Sequence, residues 1–351
     1  MKRITYISKF ASPMSEKQIE EIGEVSYRNN QKEGLTGVFL CVGGLFFQII
    51  EGDEEKIDGL YAKIVSDKRH KDVLCLKTEF DITERLFPDW SMKTINLDKA
   101  DNNLILPIRI LLQSVTESHR IIEKYTQPSV FKILGTGTNP LTLKPCKTEK
   151  IILFGDIVAF STLSEKYPVE DIVRVVNKYL DICARVISAK GGEVTKFIGD
   201  CVMAYFSPEQ ADEAIQGCLD ILAELRSLRE TASEGSIFRF LYCGFGLSQG
   251  MVIEGNIGSS VKMDYTVIGD AVNTAARLEA LTRTLSKSLV LSSAVRHSTK
   301  KSWNFIPMGV FELKGKEERV EVCSIDDVLV NIVTSKAQIA SQIRKGFVIC
   351  P

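Results

Sequence analysis

The sequence has no apolar run approaching the roughly 18–20 residues that a bilayer-spanning helix needs. Its N-terminus, MKRITYISKF, turns into an alternating strand and lacks the apolar core of a signal peptide. Excess charge is missing too: 44 basic residues stand against 45 acidic ones, a formal net charge of −1. That balance gives no electrostatic reason to expect nucleic acid or an anionic membrane as partner. Histidine is scarce, three in 351 residues and far apart. The nine cysteines (Cys41, Cys75, Cys146, Cys183, Cys201, Cys218, Cys243, Cys323 and Cys350) are scattered, with no two at metal-ligand spacing. A zinc site is therefore not expected. An odd number of thiols, several inside apolar runs such as VLCLK, reads as free cysteine in a reducing compartment. The expectation is a soluble, cytoplasmic protein with no nucleic-acid and no membrane partner.

What is present is ordinary for a globular chain, with 44% hydrophobic and 25% charged residues. The length suggests two or three domains. Residues 1–98 read as one α/β unit. RITYISK is a strand, and a helix opens at Ser15 with Gln18 three residues on, a capping-box pattern. GLTGVFLCVGGLFFQIIEG is two strands around a Gly43-Gly44 turn. Residues 103–125 are helical, and apolar positions 104, 108, 111, 112, 115, 121, 122 and 125 form a stripe. A helix between two domains has to bury that stripe, and a helix–helix dimer seam is the economical means. Residues 99–149 are thus a connector and linker. Residues 150–325 follow as βαββαβαβ, a mixed sheet with helices on it, and 326–351 form a tail with a weak helical pattern. The fold class is α/β (α+β).

In the C-terminal part, Asp156 follows the apolar strand IILF, and Asp200 sits behind a glycine in KFIGDCVMAYF. Two carboxylates at strand ends suit hard divalent cations that in turn hold phosphate oxygens. Downstream, Asn273 and Arg277 stand at i and i+4 on one helix face in YTVIGDAVNTAARLEA. Together these residues resemble a class III nucleotidyl cyclase domain. The resemblance implies that Asp156 and Asp200, with the backbone of Ile157, hold two Mg²⁺ ions per active site, Mn²⁺ being able to substitute. It implies phosphate contacts from the backbone at Phe160 and Ser161, ribose orientation by Asn273, and charge stabilisation by Arg277. Lys314, in LKGK, matches the triphosphate-binding lysine. Lys196 and Thr266 hold the base-reading positions: a lysine there donates to adenine N1 and favours ATP over GTP. Thr266 departs from the more usual Asp, yet its hydroxyl still accepts a hydrogen bond. GGEV at 191–194 resembles a diguanylate cyclase signature, but it lacks the following Phe. The family's sites lie between two such domains, so one chain holding both residue sets implies a homodimer.

In the N-terminal part, Gln48 interrupts the apolar run LFFQII. A buried amide without partners costs about 1–3 kcal/mol. Strand parity places Phe46, Gln48 and Ile50 on one face, and Trp90 with Met92 on another strand. The set TYIS, NNQ…LTGVFL, FFQIIEG, DKRH and FPDWSMKTINL resembles a BLUF domain, a flavin-binding blue-light sensor of ferredoxin-like fold. The resemblance implies that Tyr6 bonds Gln48 and that Gln48 bonds the flavin ring. Asn30 would bond the ring's polar edge, and Asp67, Arg69 and His70 would lie near the flavin side chain. Trp90 and Met92 would sit beside Gln48. The ring contacts do not distinguish FMN from FAD. Sensor, helical connector and cyclase domain in this order resemble the bacterial photoactivated adenylyl cyclases, which implies a light-regulated conversion of ATP to cyclic AMP. The alternatives are a light-regulated guanylyl cyclase, or a flavin photoreceptor with a non-catalytic dimerisation domain.

Overall fold

The computed structural model describes residues 1–99, 102–135, 138–313, 319–331, 339–341 and 343. The chain divides into two compact units, Met1–Thr142 and Leu143–Pro351. Among the described residues no helix is long and apolar enough to cross a membrane.

The first unit runs β1 (Lys2–Phe10), α1 (Glu16–Glu33), β2 (Thr36–Val42), β3 (Leu45–Gly52), α2 (Glu54–Ser66), β4 (His70–Glu79), β5 (Lys93–Asn96), α3 (Asn102–Tyr125) and α4 (Pro128–Gly135). Its five strands are ordered β4-β1-β3-β2-β5, with only β2 and β5 parallel. The capping box forms: the Gln18 N–H donates to Ser15 Oγ, and the Ser15 N–H donates to Gln18 Oε1. One sheet face, with Tyr6, Phe46 and Ile50, is buried under Ile19 and Ile22 of α1 and Ile57 of α2. The other face, with Ile7, Leu45 and Leu74, is covered by Leu112 of α3 and Phe131 of α4.

The α3 stripe therefore has a different fate from a pure dimer seam. Leu112 packs on its own sheet and Ile105 and Thr116 are buried, while Leu111, Val115, Ile121, Ile122 and Tyr125 stay exposed in the single chain. The side chain of residue 104 lies outside the described residues.

Between β4 and β5 the chain is irregular, and a buried carboxylate fixes it. Glu51, 0% exposed, accepts from Arg3 Nε at 2.8 Å and from the Leu86 and Phe87 N–H groups, both at 2.9 Å. Trp90 and Met92 lie in this segment and not on a strand, so alternation does not govern them. Met92 is buried, whereas Trp90 turns outward and stacks on Phe87 with ring centroids 5.1 Å apart. Of the two, Met92 is in hydrogen-bond contact with Gln48.

The second unit runs β6 (Cys146–Ile157), α5 (Phe160–Lys166), α6 (Val169–Ala189), β7 (Glu193–Ile198), β8 (Cys201–Phe206), α7 (Ala211–Thr231), β9 (Cys243–Gly258), β10 (Met263–Ile268), α8 (Asp270–Leu285), β11 (Leu289–Ser292), α9 (Ser293–Ser298), β12 (Phe305–Phe311) and β13 (Val320–Ile325). The sheet order is β12-β13-β11-β9-β6-β8-β7, and β10 folds back on the far half of β9. Two of these strands are absent from the sequence expectation. β11 has only four residues, and β10 runs directly into α8, so neither shows enough alternation to stand apart.

One sheet face is buried under α6 and α7. The other takes α8, whose Ala271 and Ala275 pack on Ile152, Met203 and Val252. At Gly246 a Cβ would stand 2.2 Å from Glu279 N and 2.3 Å from Ala275 O, so the missing side chain lets α8 lie directly on β9.

Removing a buried carboxylate strands its partners, at a cost of about 3–5 kcal/mol. Glu51→Ala should destabilise the first unit by about that amount and speed hydrogen exchange at Leu86 and Phe87. Exchange measured by mass spectrometry tests this, and unchanged rates would refute the anchor.

Candidate functional site

In the antiparallel β1–β3 pair Tyr6 stands directly opposite Gln48, and Phe39 of β2 flanks Gln48 from the other side. Both polar groups are buried, Tyr6 at 0% and Gln48 at 5% exposure. The Tyr6 hydroxyl donates to Gln48 Oε1. Burial, reinforced by Tyr61 and Asp67, holds that phenol far above its ordinary range, so it stays a neutral donor. At the other end of the amide, Gln48 Nε2 donates to Met92 Sδ at 3.4 Å. A thioether is a weak acceptor, so this end has capacity for a stronger one. That arrangement fits the carbonyl and imine edge of a flavin ring.

The remaining residues of the first unit divide between interior and rim. Asn30, 2% exposed, donates from Nδ2 to the Ser91 carbonyl at 2.9 Å, next to Met92. His70 Nδ1 lies 2.8 Å from Ser8 Oγ, and its ring centroid is 4.8 Å from that of Phe46. Burial is the leading influence on His70 and lowers its basicity. Asp67 and Arg69 pair with each other at 2.5 Å on the more exposed side. That hydrogen bond from Arg69 holds the Asp67 carboxyl below the usual carboxylate range.

In the second unit, neighbouring strands bring two carboxylates together. β6 and β8 pair with Gly155 opposite Val202, so Asp156 falls level with the β7–β8 turn. Gly199 makes that turn at φ 65°, a conformation that favours glycine, and sets Asp200 at its tip. Burial, then the negative charge of Asp156 and a hydrogen bond with it, push Asp200 up to about 7. Asp200 Oδ2 is buried and has no hydrogen-bond partner. An orphaned carboxylate oxygen beside a second carboxylate fits a divalent cation. Among the described residues no group of three or more His, Cys, Asp or Glu forms a metal cage. Two carboxylates alone would leave a hard cation open coordination positions for other oxygens.

Ile157 ends β6, and Ala159, at φ 61°, turns the chain into α5, which begins with Phe160 and Ser161 and has no side-chain cap. Lys196 Nζ lies 3.3 Å from Asp264 Oδ2. Thr266 stands on β10 opposite Gly255 and is buried at 6% exposure. Asn273 and Arg277 lie one turn apart on α8. Arg277 Nη1 is buried without a partner, a donor that fits an anion. Lys314 lies outside the described residues.

Sequence reasoning missed three charged residues here. Arg283 Nη2 donates to Asp156 Oδ2 at 2.6 Å, and Arg283 Nη1 donates to Glu279 Oε1 at 2.7 Å. Burial pushes Glu279 up to about 7 against the opposing pull of Arg283. Glu279 and Arg283 repeat, six residues further on, the i, i+4 spacing of Asn273 and Arg277, and that repetition was the available signal. Asp264, 68 residues from Lys196, left none.

The carboxylates fix a pH dependence. Asp200 binds its proton more tightly folded than unfolded, where its ordinary value is near 3.9, so its contribution is present at low pH and lost as pH rises from about 4 to about 7. Without divalent cations the second unit should melt at a lower temperature at pH 8 than at pH 6, and Mn²⁺ should restore stability mainly at pH 8. Scanning fluorimetry with EDTA or Mn²⁺ measures both, and a cation effect larger at pH 6 would contradict the assignment.

Comparisons with known proteins agree with both halves. The model "BLUF: Sensors of blue-light using FAD" matches residues 1–93, and "Adenylate and Guanylate cyclase catalytic domain" matches residues 144–325. A solved bacterial light-regulated adenylyl cyclase is 51% identical with a TM-score of 0.89, covering 99% of each chain. Photoactivated adenylate cyclase subunit alpha of Euglena gracilis is 34% identical over 296 residues, which is 83% of this chain and 29% of that protein. The beta subunit is 32% identical over 294 residues, 83% of this chain and 34% of that one. The chain thus spans about a third of the length of these curated relatives. A BLUF domain takes a flavin and a class III cyclase domain a divalent metal. On this evidence the chain belongs to the family that joins a BLUF blue-light sensor to a class III nucleotidyl cyclase domain.

Proposed function

We propose that the protein is a blue-light-activated adenylyl cyclase converting ATP to 3′,5′-cyclic AMP and pyrophosphate at sites between two copies of the chain. The convergence of Asp156 and Asp200, one oxygen of which is buried without a partner, carries this reading, since two such carboxylates repel each other and a divalent cation relieves that repulsion. The division that goes with it is a sensor at 1–98, a connector at 99–149, a cyclase domain at 150–325 and a tail at 326–351. The flavin is taken as FAD, the one named in the family description, and the cation as Mg²⁺.

In the reaction the ribose 3′ oxygen attacks the α-phosphorus, loses its proton, and pyrophosphate leaves as the bond to the β-phosphate oxygen breaks. Bound cations supply charge neutralisation on the triphosphate and acidify the 3′-hydroxyl. Asp156, Asp200 and the backbone of Ile157 would hold them. The first-turn N–H groups at Phe160 and Ser161, uncapped by any side chain, face phosphate oxygens. From the other copy, Asn273 orients the ribose and Arg277 meets the charge that grows on the α-phosphate. Lys196, held by Asp264, donates to adenine N1, Thr266 accepts from the 6-amino group, and Lys314 binds the triphosphate.

In the first unit the Gln48 amide is the switching element. Its two ends are similar in shape and opposite in hydrogen-bonding sense, so the Tyr6 donor and the Met92 side can be served in two arrangements. A bound flavin supplies light absorption. Helix α3, packed on the sheet through Leu112, carries the change, and its exposed apolar side pairs with the same helix of a second copy.

Illuminated protein with Mg²⁺ should form cyclic AMP from ATP and far less cyclic GMP from GTP. A preference for GTP would overturn the base assignment. Asp200→Ala should lower cyclisation by at least about 10²-fold, the scale of losing a preorganised catalytic contact, while leaving the flavin absorbance intact. Loss of the flavin in that variant would show that the two units do not act separately.

A further inference from the structure

The cyclisation scheme uses Asp156, Asp200, Asn273 and Arg277, but leaves the cation of Arg283 without a role. Arg283 is not a loosely held surface residue: its side chain is 19% exposed, that of Asp156 27% and that of Glu279 9%. Its guanidinium is a fork. One prong, Nη2, reaches Asp156 Oδ2 at 2.6 Å, and the other, Nη1, reaches Glu279 Oε1 at 2.7 Å. Glu279 precedes it by one turn of α8, so the helix itself aims the fork. The close seat of α8 on β9 at Gly246 fixes the helix relative to the strands that bear the carboxylates.

A single positive charge therefore sits on one oxygen of the carboxylate pair, while the other member, Asp200, keeps a buried oxygen without a partner. We propose that Arg283 is an internal competitor of the divalent cation. It neutralises Asp156 when no cation is bound, and it has to yield Asp156 Oδ2 as the cation enters. Glu279 makes that exchange feasible, because the released guanidinium keeps a buried anionic partner and is not left as an uncompensated charge. The cation concentration needed for half-occupancy is then set by the Arg283–Asp156 contact as well as by the carboxylates. Arg283 is a positioning residue, and this inference rests on the reading of Asp156 and Asp200 as the metal carboxylates.

The experiment titrates Mn²⁺ into the full-length protein without nucleotide and follows the electron paramagnetic resonance signal of free Mn²⁺. Removing one neighbouring positive charge, Arg283→Gln should tighten binding roughly tenfold. Arg283→Lys keeps the charge and should stay within about threefold of the parent. Glu279→Gln leaves the guanidinium Asp156 as the one carboxylate of the pair it contacts, and should weaken Mn²⁺ binding several-fold. Unchanged or weaker binding in Arg283→Gln overturns the proposal. So does tightening in Arg283→Lys equal to that in Arg283→Gln, because charge would then not be the cause. If Arg283→Gln does not fold, by circular dichroism, Glu279→Gln decides: Mn²⁺ bound as tightly as by the parent overturns the proposal. Asp200→Asn separates the two levels. Parent-like Mn²⁺ binding in that variant would refute the metal assignment itself, whereas its loss leaves the Arg283 comparison as the test.

Discussion

Two carboxylates held side by side in a half-buried site cannot both keep their charge at low cost, and the second unit is built around that constraint. The β6–β8 register and the Gly199 turn bring Asp156 and Asp200 together. Burial and mutual repulsion hold Asp200 up to about 7. Whatever relieves this repulsion stabilises the site, and two reliefs are present in the chain's chemistry. Arg283 supplies one charge from α8, and a divalent cation supplies two. Helix α8 thus bears, besides Asn273 and Arg277, the residue that pairs with Asp156.

The first unit solves a similar problem without charge. Gln48 lies among Phe39, Phe46, Ile50 and Met92, where an amide needs partners at both ends. Tyr6 serves the oxygen, and Met92 serves the nitrogen weakly. An amide whose second partner is soft can be re-paired at small cost, and that property distinguishes glutamine from leucine in the same strand. The same hairpin is tied to the connector. The Gly43 N–H donates to the Asp98 carboxylate at 3.0 Å, and Asp98 accepts from Arg109 of α3 at 3.1 Å. A contiguous hydrogen-bonded route thus runs from the strand pair bearing Gln48 to α3, which is a spatial warrant for coupling.

Much of this was legible in the sequence, for identifiable reasons. Asp156, Asp200, Asn273 and Arg277 stand out because they break apolar patterns, and their roles follow from the resemblance of the whole set to a class III cyclase domain. Gln48 stands out in the same way, and the BLUF resemblance implies Tyr6 as its partner, which the β1–β3 pairing places opposite it. What stayed hidden are long-range partners. Glu51 ends the run that contains Gln48, but nothing near it reveals that it anchors residues 86 and 87. Asp264 and Lys196 meet only because β10 folds back on β9. Trp90 and Met92 precede β5 in irregular chain, so strand alternation does not say where their side chains go. The division of α3 between its own sheet and an exposed face depends on α4 and on the sheet's second face, which no single-helix pattern encodes.

The central claim is that one amide of the first unit governs cyclisation in the second. The direct measurement is the initial rate of cyclic AMP formation from ATP and Mg²⁺, in darkness and under blue light, for the parent chain and for Gln48→Leu. The account predicts a faster rate in light for the parent. In the variant it predicts retained flavin absorbance, a dark rate like the parent's, and no response to light. Equal parent rates in light and darkness, or a variant that still responds, would contradict it.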